Sequence, residues 1–249
     1  MSEQAATKVA LVTGASRGIG RAIAQALAEA GHTVVGTATS DGGAAQITEY
    51  LHAMGNAGCG MTLDVAEPES VAGVVQAVTE QLAAPLILVN NAGITRDNIL
   101  LRMKEQEWQE VIDTNLNALY RVCKACLRGM TRARWGRIIN ITSVVGAMGN
   151  SGQSNYAATK AGAEGFSRAL ARELGSRDVT VNCIAPGFID TDMTRELSEE
   201  QRQSMLAQIP LGRLGTAQEI AALARFLCSD AAAYITGETV HINGGMYMA

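Results

Sequence analysis

Between Thr114 and Ala163 the chain has no aspartate and no glutamate. That stretch holds Arg121, Lys124, Arg128, Arg132, Arg134, Arg137 and Lys160, a charge of +7, so the rest of the chain carries -11 against a net -4 overall. A net acidic chain excludes nucleic acid as its main partner. Histidine is scarce: His32, His52 and His241 are scattered, and none lies near a candidate nucleophile, which leaves Ser/His hydrolysis without a base. The five cysteines have no disulfide-framework spacing and point to a reducing cytoplasm. No apolar run approaches the roughly 18 residues of a membrane span, and Met1–Lys8 is polar, without the core of a signal peptide. There are only four prolines, no linker composition and no repeat, so residues 1–249 read as a single domain. With 47% apolar and 18% charged residues, the chain can bury a full core, and disorder is excluded as its main state.

What is present alternates. Val9–Thr13, Thr33–Thr37, Gly60–Asp64, Leu86–Asn90, Arg137–Ser143, Thr180–Ile184 and Thr239–Asn243 are rich in β-branched residues and almost free of charge, as in a sheet covered on both faces. Between them Ile19–Ala30, Ala44–Met54, Glu69–Leu82, Glu105–Met130, Asn155–Leu174 and Ala217–Cys228 read as helices, with Gly31, Gly55 and Gly175 placed to close three of them. Strands alternating with helices predict parallel βαβ units. The expected α/β architecture is a single-domain Rossmann fold, a doubly wound seven-stranded parallel sheet with helices on both faces.

The first strand runs into Gly14-Ala15-Ser16-Arg17-Gly18-Ile19-Gly20 and then a helix. Glycine lets a backbone turn tightly and approach a pyrophosphate, while a helix N-terminus offers free N–H groups and the positive end of its dipole. The spacing is GxxxGxG rather than GxGxxG, and its place at the first βα crossing marks a dinucleotide site. An NAD site carries an acid at the end of the second strand; here Gly36–Ser40 has none, and the first acid is Asp41. Arg17 and the hydroxyl of Thr39 instead suit a 2′-phosphate, which predicts NADP(H).

Ser143 is expected to end the fifth strand, and Tyr156 and Lys160 follow as Tyr-x-x-x-Lys on a helix, four apart and therefore on one face. A lysine beside the phenol is expected to lower its pKa. A phenol so tuned exchanges a proton with a carbonyl or alcohol oxygen near neutral pH, and Ser143 can hydrogen-bond the same oxygen.

Together Thr13–Gly20 (TGASRGIG), Asn90–Gly93 (NNAG), Asn115, Ser143, Tyr156/Lys160 and Pro186-Gly187 resemble a short-chain dehydrogenase/reductase over most of the chain. Gly36–Ser40, Asn91–Asn98, Ser143–Gly149 and Asn243–Met248 are similar to the 3-oxoacyl-[acyl-carrier-protein] reductases of bacterial fatty acid synthesis. The resemblance implies that Tyr156 is the general acid, that Lys160 bonds the nicotinamide ribose and tunes Tyr156, and that Ser143 orients the keto oxygen. By the same resemblance Asn115 holds a water linking Lys160 to solvent. It places Asp64 and Val65 at the adenine, Asn91, Ala92 and Gly93 beside the ribose, and Ile189, after Pro186 and Gly187, at the carboxamide. It also implies a homotetramer and an acyl-carrier-protein thioester as substrate, with an acyl-CoA or other carbonyl as the alternative. A nucleotide sensor without chemistry has no need of all four polar residues.

Cys123 and Cys126 fall on the apolar side of their helix and read as buried thiols, so no metal site is expected. Asp190–Gly212 reads as a lid over the substrate side. The basic stripe Arg121, Lys124, Arg128 and Arg132 continues into Arg134 and Arg137. With Arg177, and with Arg134 matching carrier-recognition positions of the resembling family, it reads as a docking surface for an acidic carrier protein near the active-site mouth.

Overall fold

A computed structural model describes residues 7–190, 203 and 205–249. Seven parallel strands lie in the order β3-β2-β1-β4-β5-β6-β7. They are β1 (Val9–Val12), β2 (Thr33–Ala38), β3 (Cys59–Thr62), β4 (Ile87–Asn90), β5 (Gly136–Ile141), β6 (Val179–Pro186) and β7 (Thr239–Ile242). The chain winds outward from β1 to β3, returns, and winds the other way from β4 to β7. The reversal opens a crevice at the carboxyl ends of β1 and β4.

Helices α1 (Gly18–Glu29), α2 (Asp41–Ala53) and α8 (Ala217–Cys228) cover one face; α3 (Pro68–Gln81), α5 (Ala118–Ala133) and α7 (Ser154–Leu174) cover the other. Alternation along each strand divides the core between the two layers. Ala10 and Val12 of β1 face one cluster, while Val9 and Leu11 face the other; Ile139 and Ile138 of β5 divide in the same way. All four β1 residues are buried, which explains why these strands read as continuous apolar runs.

Three local expectations change. The helix expected over Glu105–Met130 is α4 (Glu105–Ile112), a π-turn over Asp113–Asn117, and then α5. Ser143 does not end a strand; β5 stops at Ile141, and Ser143 caps the five-residue helix α6 (Val144–Met148), its Oγ accepting from Val145 N at 3.2 Å. Gly175 does not close α7 with a left-handed turn, because the backbone stays right-handed into a 3-10 turn and turns left only at Asp178. Arg137 also leaves the basic surface. It points into the core at 3% exposure, over the Trp135 ring at 4.4 Å and toward Asp230 at 3.6 Å. Most of the expected lid lies outside the described residues.

Candidate active site

The crevice begins at the glycine loop. Gly14 has φ of +65°, and a Cβ at Gly20 would run into the Gly14 carbonyl oxygen, so side chains are excluded where the loop folds on itself. Thr13 and Asn91 tie this loop to the end of β4. Thr13 Oγ1 accepts from the N–H groups of Asn91 and Ala92, both at 3.0 Å, and Asn91 Nδ2 donates to the carbonyls of Thr13 and Gly14, also at 3.0 Å. Arg17 gives α1 no side-chain cap and the first turn holds no acid, which leaves the helix N–H groups open to an anion.

A cleft of about 580 Å³ extends from this loop. Gly14, Ser16, Arg17, Gly18, Ile19 and Gly20 line it on the loop side, Thr39, Asp64 and Val65 line it beside β2 and β3, and Asn91, Ala92 and Gly93 line it on the side toward Asn115 and Lys160. Ala15 of the loop is fully buried, and its carbonyl accepts from the Tyr50 hydroxyl at 3.0 Å. Pro186, Gly187 and Ile189 lie at the end of β6. Gly187 N donates to Ile242 O at 3.0 Å, a Cβ at Gly187 would press on Asn243, and Ile189 is buried against Gly215. Ile189 therefore packs into the core through its side chain.

Beyond Gly93 the polar residues converge. A Cβ on Gly93 would lie 3.2 Å from Asn115 Oδ1 and 3.7 Å from Lys160 Nζ, so only glycine fits between them comfortably. The π-turn places Asn115 so that its Oδ1 accepts from Ile94 N at 2.8 Å and its Nδ2 donates to Ile94 O at 2.9 Å. Lys160 is buried; Nζ donates to Ile141 O at 2.8 Å and stands 5.3 Å from the centre of the Tyr156 ring. The Ser143 hydroxyl acts on the Tyr156 phenol in the direction that favours its ionised form. The expected lowering of the phenol pKa is not found. Burial pushes Tyr156 up, against the opposing Ser143 hydroxyl, while burial pushes Lys160 down to about 8. Burial is the largest cause of both shifts and outweighs the influence of the neighbouring ammonium on the phenol.

A family model described as enoyl-(acyl carrier protein) reductase matches residues 14–247. The chain is 67% identical over 242 residues to the 3-oxoacyl-[acyl-carrier-protein] reductase FabG of Pseudomonas aeruginosa, covering 97% of this chain and 98% of that relative. Proteins of the same name from Vibrio cholerae and Escherichia coli are 61% and 60% identical over 241 residues, at the same coverage of both chains. The chain belongs to the short-chain dehydrogenase/reductase family.

A short-chain dehydrogenase/reductase uses a nicotinamide cofactor, and the cleft fits one. The glycine cradle, which a single Cβ would block, lies against an uncapped helix N-terminus, and the cleft leads from there toward Ser143, Tyr156 and Lys160. The sequence reading named Asn91 for the ribose side and Thr13 within the loop motif but missed that the two brace the loop, and it missed Thr159, which lies behind Asn115 at 3.4 Å. Beneath them a buried chain runs from Asn90 Nδ2 to Asn140 Oδ1 at 2.8 Å, then from Asn140 Nδ2 to Ser167 Oγ at 2.7 Å. It ties β4 and β5 to α7. The only sequence signal was polar residues inside otherwise apolar strands, which must find partners when buried.

Cys123 and Cys126 are buried, with burial pushing the Cys123 thiol up to about 12 and the Cys126 thiol further. The structure brings Arg134 and Arg177 together, Arg134 Nη2 donating to the carbonyl of Ser176 at 3.1 Å. It does not bring them to the active-site mouth of their own chain. Arg134 precedes β5 and Arg177 precedes β6, whereas Ser143 follows β5; in parallel strands these are opposite ends, separated by roughly 20 Å of strand.

Proposed function

We propose that this protein reduces 3-oxoacyl-[acyl-carrier-protein] to 3-hydroxyacyl-[acyl-carrier-protein] in fatty acid biosynthesis, with NADPH, as a cytoplasmic homotetramer. The observation that carries this reading is 67% identity to a 3-oxoacyl-[acyl-carrier-protein] reductase over nearly the full length of both chains. The site's chemistry supports it. When bound, the reduced nicotinamide supplies the hydride. Gly14, Ser16 and the open end of α1 hold its pyrophosphate, Asp64 and Val65 the adenine end, and Asn91–Gly93 the ribose wall. Arg17 and Thr39 face a 2′-phosphate, with no acid at the end of β2; the carboxylate of Asp41 is occupied by Thr62 Oγ1 at 2.6 Å.

Ser143 hydrogen-bonds the keto oxygen and stabilises the developing alkoxide; Tyr156 gives that oxygen its proton. A phenol held protonated by burial is in the correct form to donate. Lys160 returns the proton, and Asn115 holds the backbone past which the relay reaches solvent. Arg134 and Arg177 dock the carrier protein and, lying at the far end of their own sheet, serve the site of a neighbouring subunit.

NADPH oxidation measured side by side with carrier-protein and CoA acetoacetyl thioesters tests the reading. Turnover is expected with both substrates and a lower KM with the carrier. Preference for the CoA thioester would assign the protein to acyl-CoA reduction, and no turnover with either would end the proposal. Tyr156→Phe is expected to abolish turnover and leave NADPH binding largely intact.

A further inference from the structure

A hydroxyl from α2 reaches the backbone of the glycine loop. Tyr50 is buried, and it donates to the Ala15 carbonyl oxygen at 3.0 Å. Ala15 is held at its other groups too. Its N–H donates to Thr37 O at 2.8 Å. Its methyl fills the space that Gly36 of β2 leaves open, since a Cβ there would lie 2.8 Å from the Ala15 Cβ and 2.7 Å from Ile47 Cγ2. The Arg21 guanidinium of α1 lies over the Tyr50 ring, 4.9 Å from its centre. Burial pushes the Tyr50 phenol up to about 12, so it remains a donor at neutral pH.

The direction of the Ala15 carbonyl decides the direction of the next N–H. In a planar trans peptide the C=O and the N–H point opposite ways, and no cis peptide bond occurs among the described residues. Tyr50 draws the Ala15 oxygen toward α2 and the buried side of the loop. The Ser16 N–H therefore points the other way, into the cleft that Ser16 lines. It donates to no group among the described residues. Beside it stand Arg17 and the uncapped start of α1, whose free N–H groups also favour an anion. A carbonyl turned toward the cleft would instead set an oxygen dipole against that anion.

We propose that Tyr50 is a positioning residue for the cofactor's phosphates: by holding the Ala15 carbonyl on the buried side of the loop, it presents the Ser16 N–H to an anionic oxygen in the cleft. The inference rests on the NADPH reading above and concerns phosphate binding alone.

Tyr50→Phe removes the hydroxyl and keeps the ring. Binding of NADPH is read from the fluorescence of its reduced nicotinamide, and adenosine is measured as a competitor that carries no phosphate. NADPH affinity is expected to fall about tenfold, the loss of one charged hydrogen bond, while adenosine affinity stays the same. If the two fall together, Tyr50 only keeps the loop in shape and the proposal is overturned. Unchanged NADPH affinity overturns it as well.

A second measurement needs no change at Tyr50. In the parent labelled with 15N-serine, with Ser16→Ala used to assign the signal, the Ser16 amide proton is expected to move downfield as NADPH is added and to stay in place with adenosine. A Ser16 signal that NADPH leaves unmoved overturns the proposal. A parent that prefers NADH to NADPH counts against the 2′-phosphate reading alone. The same titrations with NADH then decide the matter for Tyr50, because both nucleotides carry the pyrophosphate.

Discussion

Lys160 is a buried ammonium with one carbonyl partner at 2.8 Å, and burial holds its folded pKa near 8 against an ordinary 10.5. Between those values the unfolded chain binds the extra proton. Burial of Lys160 therefore costs stability below about pH 8, and the cost shrinks as pH rises toward 10.5. Lys160→Met is expected to lose turnover yet raise Tm at pH 7, by up to about 3 kcal/mol of stability, since one pKa unit corresponds to roughly 1.4 kcal/mol. A denaturant titration checks this, and a less stable variant would refute it. Arg17 is a second single-residue case. Arg17→Ala is expected to raise the KM for NADPH about 10- to 100-fold and barely change that for NADH, the loss of one charged hydrogen bond. Equal kcat/KM for the two cofactors in the parent would remove the 2′-phosphate assignment. The cluster of Asn115, Ser143, Tyr156 and Lys160 was legible as a candidate site because four chemically distinct side chains appear in one order. Asn91 and Thr13 were harder to read, because their partners are backbone groups that only the folded loop brings near.

Element by element, the sheet was legible because its strands are flanked on both faces and so hold almost no charge, Arg137 of β5 being the buried exception. Its exceptions are instructive. Helix α6 follows β5 after two residues, and Val144–Val145 reads as more strand; the hydroxyl of Ser143, accepting from Val145 N, starts a helix there. The π-turn leaves no mark on the apolar spacing of α4 and α5 because it adds only one residue to a turn. Helix α8 shows the opposite case, a start signal written locally. Thr216 Oγ1 accepts from Glu219 N at 3.2 Å, Glu219 accepts from Thr216 N at 2.8 Å, and Arg213 bonds the same carboxylate at 2.6 Å. Thr216→Ala is expected to cost about 1 kcal/mol of stability, measurable by thermal unfolding. With Arg213 first and the Thr216 backbone next, these bonds hold the Glu219 pKa down to about 2. A depressed carboxylate contributes stability that is present above its unfolded pKa and lost as pH falls toward 2. Glu219→Gln should therefore lower stability modestly at pH 7, where the contribution is fully present, flatten part of the acid limb of the unfolding curve, and converge with the parent as pH falls toward 2.

For the whole molecule, the parallel sheet gives the chain two unlike ends. Nucleotide cleft, Ser143 and Tyr156 gather where the strands finish, as a doubly wound topology requires. Arg134 and Arg177 gather where strands begin, Arg134 at the left-handed close of α5 with φ of 50°. Charge reversal at both is expected to raise KM several-fold for carrier-bound substrate and spare the CoA thioester; an equal effect on both would dismiss the docking surface. The sequence could place these arginines in order along the chain but not at an end of the sheet, since polarity follows from strand pairing. One consequence concerns dilution. If carrier protein lands on one subunit and its cargo reacts in the next, subunit dissociation becomes a specificity determinant. Activity toward carrier-bound substrate should fall at low enzyme concentration before activity toward a free thioester does, although both meet the same phenol.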